Sequence, residues 1–153
     1  MRKKKQIILE QLESKLQPFY IAENAPIPPK GWINTIRTSL NMTLEQLGNK
    51  LGISRQGVKK IEDSEVKGSA SINALKAVAE AMEMKFVYGF VPKHGSLDKL
   101  LEEKARQMAE KIVLRTHHNM VLEDQSIGYG KVKSAVDELA KELKAEMSKL
   151  LWE

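Results

Sequence analysis

The sequence contains no cysteine. It therefore builds no disulfide framework and offers no thiolate to a metal or a substrate. Histidine is nearly as scarce, at three in 153 residues, which leaves little for a metal enzyme. His117-His118 near Glu123-Asp124 is the only stretch that suggests ligands, and an adjacent pair does not have helical ligand spacing. No apolar run approaches the roughly 18 residues of a membrane span. The start, Met1–Gln6, is basic, but only Ile7, Ile8 and Leu9 follow before Glu10, too short for a secretory core. Walker loops and nucleophile elbows are absent, and Gly128-Tyr129-Gly130 lacks the longer glycine pattern of a phosphate cradle. The expectation is a cytoplasmic protein that is not an enzyme and needs no cofactor.

Charge is present, and unevenly. The chain carries a net +5, with 25 basic against 20 acidic residues. Residues 1–30 hold six basic and three acidic side chains, whereas residues 116–153 hold five and seven. A basic front with an acidic tail is compatible with a polyanionic partner but does not establish one.

Periodicity gives the organisation. Ile8, Leu12 and Leu16 mark a first helix over about Lys4–Gln17. Pro18 and Pro26-Ile27-Pro28-Pro29 then read as a linker, because proline lacks a donor and disfavours helix before it. A cluster of short helices fills Gly31–Met84. Lys85–Pro92, rich in aromatic and β-branched residues, reads as one short strand. A single strand needs a partner for its backbone. A second copy across a two-fold axis, another protein, or solvent are the choices, and the first is favoured. A helix follows from Leu97 to about Arg115, and a last one from about Lys131 to Leu151 with Val132, Val136, Leu139, Leu143, Met147 and Leu150 on one stripe. That stripe suits packing on the 97–115 helix, a dimer interface or a protein partner. The fold expected is mainly all-α. The domains expected are residues 1–30, a basic helix and linker; 31–92, the cluster of short helices plus strand; and 93–153, a helical extension for dimerisation or partner binding.

The informative stretch is Met42–Asp63. Thr43 can cap a helix, with Gln46 three residues on to complete a capping box. Leu44, Leu47 and Leu51 form its apolar face, and Gly52 ends it in the left-handed shape a C-cap needs. Ser54 caps a second helix two residues later, with Val58 and Ile61 inside. Two helices joined so tightly need a small residue where they touch, and Gly48 supplies it. This is a helix-turn-helix pattern.

On the second helix, Arg55, Gln56, Lys59, Lys60 and Asp63 share the face opposite Val58 and Ile61. Arginine can bridge guanine O6 and N7, and glutamine can bridge adenine N6 and N7. Lys59 and Lys60 suit phosphate, as does Arg37 on the preceding helix. Gly57 lets the helix approach a base edge closely. The candidate DNA-binding residues are thus Thr43, Gln46, Ser54, Arg55, Gln56, Gly57, Lys59 and Lys60. Trp32, Ile33, Ile36 and Leu40 before the motif, and Ile72, Leu75, Val78, Ala79 and Met82 after it, read as core. Arg2–Lys5 could act as an arm on the duplex or be a solvated terminus.

Leu47, Gly48, Leu51, Gly52, Ile53, Val58 and Ile61 all fall where the Xre family, which includes Cro and lambda repressor, places apolar or small residues, and Glu62 matches its usual ending. The resemblance implies a five-helix, lambda-repressor-like domain that binds double-stranded DNA as a dimer. Leu44 departs from the family's glutamine at the first place, and Thr43 or Gln46 would substitute. Gly31–Arg37, Phe86–Tyr88, Val91-Pro92 and His118–Gln125 further resemble the family called mobile mystery protein A. That family implies a bacterial helix-turn-helix protein encoded beside a Fic-domain protein that it restrains as an antitoxin would; the expectation drawn from the motif is a nucleoid-associated regulator that represses its own operon. Fic inhibitors carry Ser or Thr, three residues, Glu, then Gly or Asn; Ser134 to Glu138, followed by Leu139, is the nearest match and departs at the last place.

Overall fold

The computed structural model describes residues 2–122 and 128–153. Among them are seven α-helices, α1 (Arg2–Ala22), α2 (Trp32–Ser39), α3 (Leu44–Leu51), α4 (Arg55–Lys67), α5 (Ile72–Ala81), α6 (Leu97–Leu122) and α7 (Tyr129–Glu146), and a 3-10 turn at Lys149–Trp152. No described helix is long and apolar enough to cross a membrane. The chain divides into two compact units, one of residues 1–23 with 90–153 and one of residues 24–89.

The unit of residues 24–89 holds α2–α5. Helices α3, α4 and α5 each start where a short polar side chain meets an orphan backbone donor. Thr43 Oγ1 accepts from Gln46 N at 3.0 Å while Gln46 Oε1 accepts from Thr43 N at 2.9 Å, completing the capping box. Ser54 Oγ accepts from Gly57 N at 3.1 Å, and Ser71 Oγ from Ala74 N at 3.0 Å. Gly52 sits at φ 70°, ψ 30° and closes α3. The helices enclose Ile33, Leu47, Val58, Val78 and Met82. Leu47 and Val58 are fully buried, and burial of such a side chain stabilises by roughly 1.5–3 kcal/mol.

Two expectations for this unit fail. It has four helices rather than five, and Lys85–Pro92 forms no strand. A strand is defined by its ladder, and no second segment of the chain has the composition to supply one. Trp32 and Leu40, read as core, are 45% and 57% exposed, and Ile72 is 45% exposed. Leu40 lies just past the end of α2, so the helical spacing that selected it no longer applies.

In the other unit, α6 and α7 pack around Leu101, Ala105, Ala109, Val136 and Leu143, with Leu9 of α1 against them. The stripe on α7 therefore packs within its own chain, at Val136 and Leu143. Beyond Glu146 the phase changes: Met147 turns to φ 47°, Leu151 is buried, and Leu150 stays 44% exposed. Pro18 does not end α1 but lies inside it. A helical proline removes one donor and crowds the preceding turn. Here a link spans it: the Tyr20 hydroxyl donates to Glu13, whose other oxygen accepts from Leu97 N at 3.0 Å and caps α6. The hydrogen bond to Glu13 pushes the Tyr20 pKa up to about 12, so the link is whole below pH 10 and is lost as pH rises towards 12. Arg2 pairs with Glu146 at 2.9 Å, and Lys5 Nζ donates to Glu146 O at 3.3 Å. The basic start is thus helical and in part engaged, not a free arm. Helix α6 runs past Arg115 to Leu122 and α7 begins at Tyr129, so both ends of the ambiguous stretch 116–130 are helical; Glu123 and Asp124 lie outside the described residues. Among the described residues no cluster of three or more His, Asp or Glu could hold a metal ion.

Candidate nucleic-acid interface

The α3–α4 corner is set by one close approach. A Cβ built on Gly48 would stand 2.6 Å from the Ile53 carbonyl oxygen, which is backbone and cannot swing away. Ile53 N also donates to Gly48 O at 2.9 Å. A side chain at this point would wedge the turn open, so glycine fixes the angle at which α4 leaves α3.

Helix α4 is held from below by two of its own carboxylates. Glu62 is 2% exposed and accepts from Arg37 Nε at 2.6 Å, Arg37 Nη2 at 3.4 Å and Asn34 Nδ2 at 3.1 Å. Arg37 Nη1 donates to Met42 O at 2.9 Å, so the guanidinium also ties down the chain entering α3. One turn on, Glu65 accepts from Trp32 N at 2.7 Å and Ile33 N at 2.9 Å, capping α2, whose own N-cap is the glycine Gly31. Arg37, offered as a phosphate contact, is instead 7% exposed and spent inside the unit. A buried carboxylate needs a fixed cation more than a solvent-facing phosphate does.

The outer face of α4 is free to meet a partner. Arg55, Gln56, Lys59 and Lys60 are all exposed. Lys59 pairs with Asp63 at 3.1 Å, while the side chains of Arg55, Gln56 and Lys60 make no hydrogen bond or ion pair among the described residues. The Lys59–Asp63 pair is half exposed on both sides, so it is worth only ~0–1 kcal/mol and yields easily to a phosphate. Thr43 and Gln46 are exposed but bound to each other through the capping box, which leaves Gln46 Nε2 without a hydrogen bond among the described residues. Ser54 caps α4 through its lone pair and retains its hydroxyl proton. Gly57 is half buried, and its missing Cβ leaves room for Ile53, whose Cδ1 would lie 3.2 Å away. Ile53, assigned by the motif to the interior, is 39% exposed, beside the first turn of α4.

Sequence reading missed the roles of Asn34, Glu65 and Arg37. The available signal was the inward spacing of Val58, Ile61, Glu62 and Glu65, which places two carboxylates on an apolar face and so demands buried partners.

Residues 33–88, which span α2–α5, match the family model described as helix-turn-helix. They form an Xre-type helix-turn-helix domain, a DNA-binding module whose presence suggests a transcription regulator. No curated protein and no solved structure matches the chain.

Proposed function

We propose that the chain is a sequence-specific transcription regulator that represses its own operon as a dimer, on bacterial DNA. The observation that carries this is the outer face of α4, where Arg55, Gln56 and Lys60 stand exposed without an internal partner over a buried underside. A helix so held enters the major groove, reads base edges with its first turn and touches phosphate with its lysines. Repression is occupancy: two copies on neighbouring half-sites, about 34–36 Å apart, exclude polymerase without any catalysis.

The test is a duplex titration over a range of salt. Neutralising about 6–10 phosphates should cost 10³–10⁵ in affinity between 50 and 200 mM salt. A flat salt curve contradicts the reading. Asp63→Asn should raise affinity by up to about fivefold per protomer on every duplex alike, because a pair worth ~0–1 kcal/mol no longer competes with phosphate for Lys59. A gain confined to one sequence would mean that Asp63 faces a base.

A protein-binding role for the other unit is the second reading. Ile7, Ile8 and Leu12 on α1 are 54%, 54% and 44% exposed, an apolar strip open to a partner. The resemblance to mobile mystery protein A makes a Fic-domain neighbour the partner to try by co-purification, and Ser134 and Glu138, both exposed on α7, are the motif residues to mutate.

A further inference from the structure

The stretch after α5 is built like a strand but has no ladder. Met84 N donates to Ala79 O at 2.8 Å, and from Lys85 to Gly95 no further backbone hydrogen bond forms among the described residues. Val87, Tyr88 and Phe90 are 67%, 56% and 81% exposed. Phe86 and Tyr88 stack at 5.9 Å, on one side, as residues two apart do on an extended chain. Unpaired backbone with exposed aromatic side chains is an edge that invites a second strand.

We propose that Met84–Pro92 pairs antiparallel with the same segment of a second copy, in a register centred on Tyr88. The pairing locates the dimer on which the regulator reading rests. This register sets Phe86 opposite Phe90 and Tyr88 opposite itself, so aromatic meets aromatic, while Glu83, at φ 56°, belongs to the turn that closes α5 and stays outside the ladder. With Tyr88 facing itself in a non-hydrogen-bonded pair, the alternation of an antiparallel ladder puts Phe86–Phe90 and Met84–Pro92 in non-hydrogen-bonded pairs too. Pro92 then lies where its missing N–H is not needed. Centring one residue later, on Gly89, would set Lys85 against Lys93 and Phe86 against Pro92. Centring one earlier, on Val87, would leave Phe90 facing Met84 and Pro92 facing Met82, the buried C-cap of α5. A strand from an unrelated protein would have no reason to match this pattern, which is why a second copy is the occupant.

The test uses the full chain, which lacks cysteine and so gives clean single-cysteine variants. Tyr88→Cys should form a disulfide-linked dimer under mild oxidation, because facing Cβ atoms in such a pair lie ~4.5 Å apart, within disulfide reach. Val87→Cys and Gly89→Cys should each link at least tenfold more slowly alone, yet link to each other when mixed. Val87→Pro removes a ladder donor and should leave a monomer of unchanged helix content by circular dichroism. A wild-type chain that sediments as a monomer at tens of micromolar, a Tyr88→Cys chain that links no faster than Ile21→Cys, or a Val87→Pro chain that stays dimeric would each overturn the pairing. Half-site duplex binding separates the two readings. If Val87→Pro is monomeric and still binds a half-site, both stand; if the wild type dimerises as described but binds no duplex, only the regulator reading falls.

Discussion

Arg37→Met is expected to destabilise the helix-turn-helix unit by about 3–5 kcal/mol, the usual cost of leaving a buried charge without its partner. The guanidinium meets Glu62 at 2.6 Å where the two side chains are 9% and 2% exposed. Removing it strands a carboxylate with only Asn34 Nδ2 at 3.1 Å, and also frees Met42 O, to which Arg37 Nη1 donates at 2.9 Å. Urea unfolding followed by circular dichroism measures the loss. Arg37→Met combined with Glu62→Met should recover most of it, since two apolar side chains need no mutual compensation. A single-variant cost under about 1 kcal/mol would show that the pair does not hold α4 in place, and the rigid platform assumed for base reading would go with it.

Arg55→Ala is expected to weaken binding to the preferred duplex by about 1–3 kcal/mol and to relax the choice of base at one position, and Gln56→Ala to do the same at a neighbouring one. Lys60→Ala should instead weaken all duplexes evenly and flatten the salt dependence, by about one unit of slope per lysine contact. The contrast follows from chemistry: a planar guanidinium or amide reads a donor and acceptor pattern, whereas an ammonium reads charge. Competition assays with preferred and scrambled duplexes distinguish them. If Arg55→Ala and Lys60→Ala together leave binding unchanged, the wrong face of α4 has been assigned.

The α3–α4 corner was legible because its determinants are local. Thr43, Gln46, Gly52 and Ser54 act within a few residues of themselves, and the helices begin and end where those residues place them. The apolar periodicity also located the buried Leu47, Val58 and Val78. What escaped was long-range. The partners of Glu62 and Glu65 lie 25–33 residues away on α2, so no window reading could join them. The rule that makes Pro18 a breaker is local, while the Glu13–Tyr20 link that accompanies it in α1 runs on to Leu97. Lys85–Pro92 has the composition of a strand but forms none, because composition cannot supply the neighbour that a ladder needs. Ile53 shows the same limit: the motif fixes an apolar residue there, and only the fold shows that it remains 39% exposed.

The most direct test of the account is selection of duplexes from a random pool by the intact chain at 0.15 M salt. One site with two related half-sites should be enriched, bound at a Kd of about 10⁻⁸–10⁻¹¹ M, and that enrichment should be lost in the Arg55→Ala, Gln56→Ala double variant. A pool that emerges with no favoured sequence, or the same enriched site with the double variant, would contradict it.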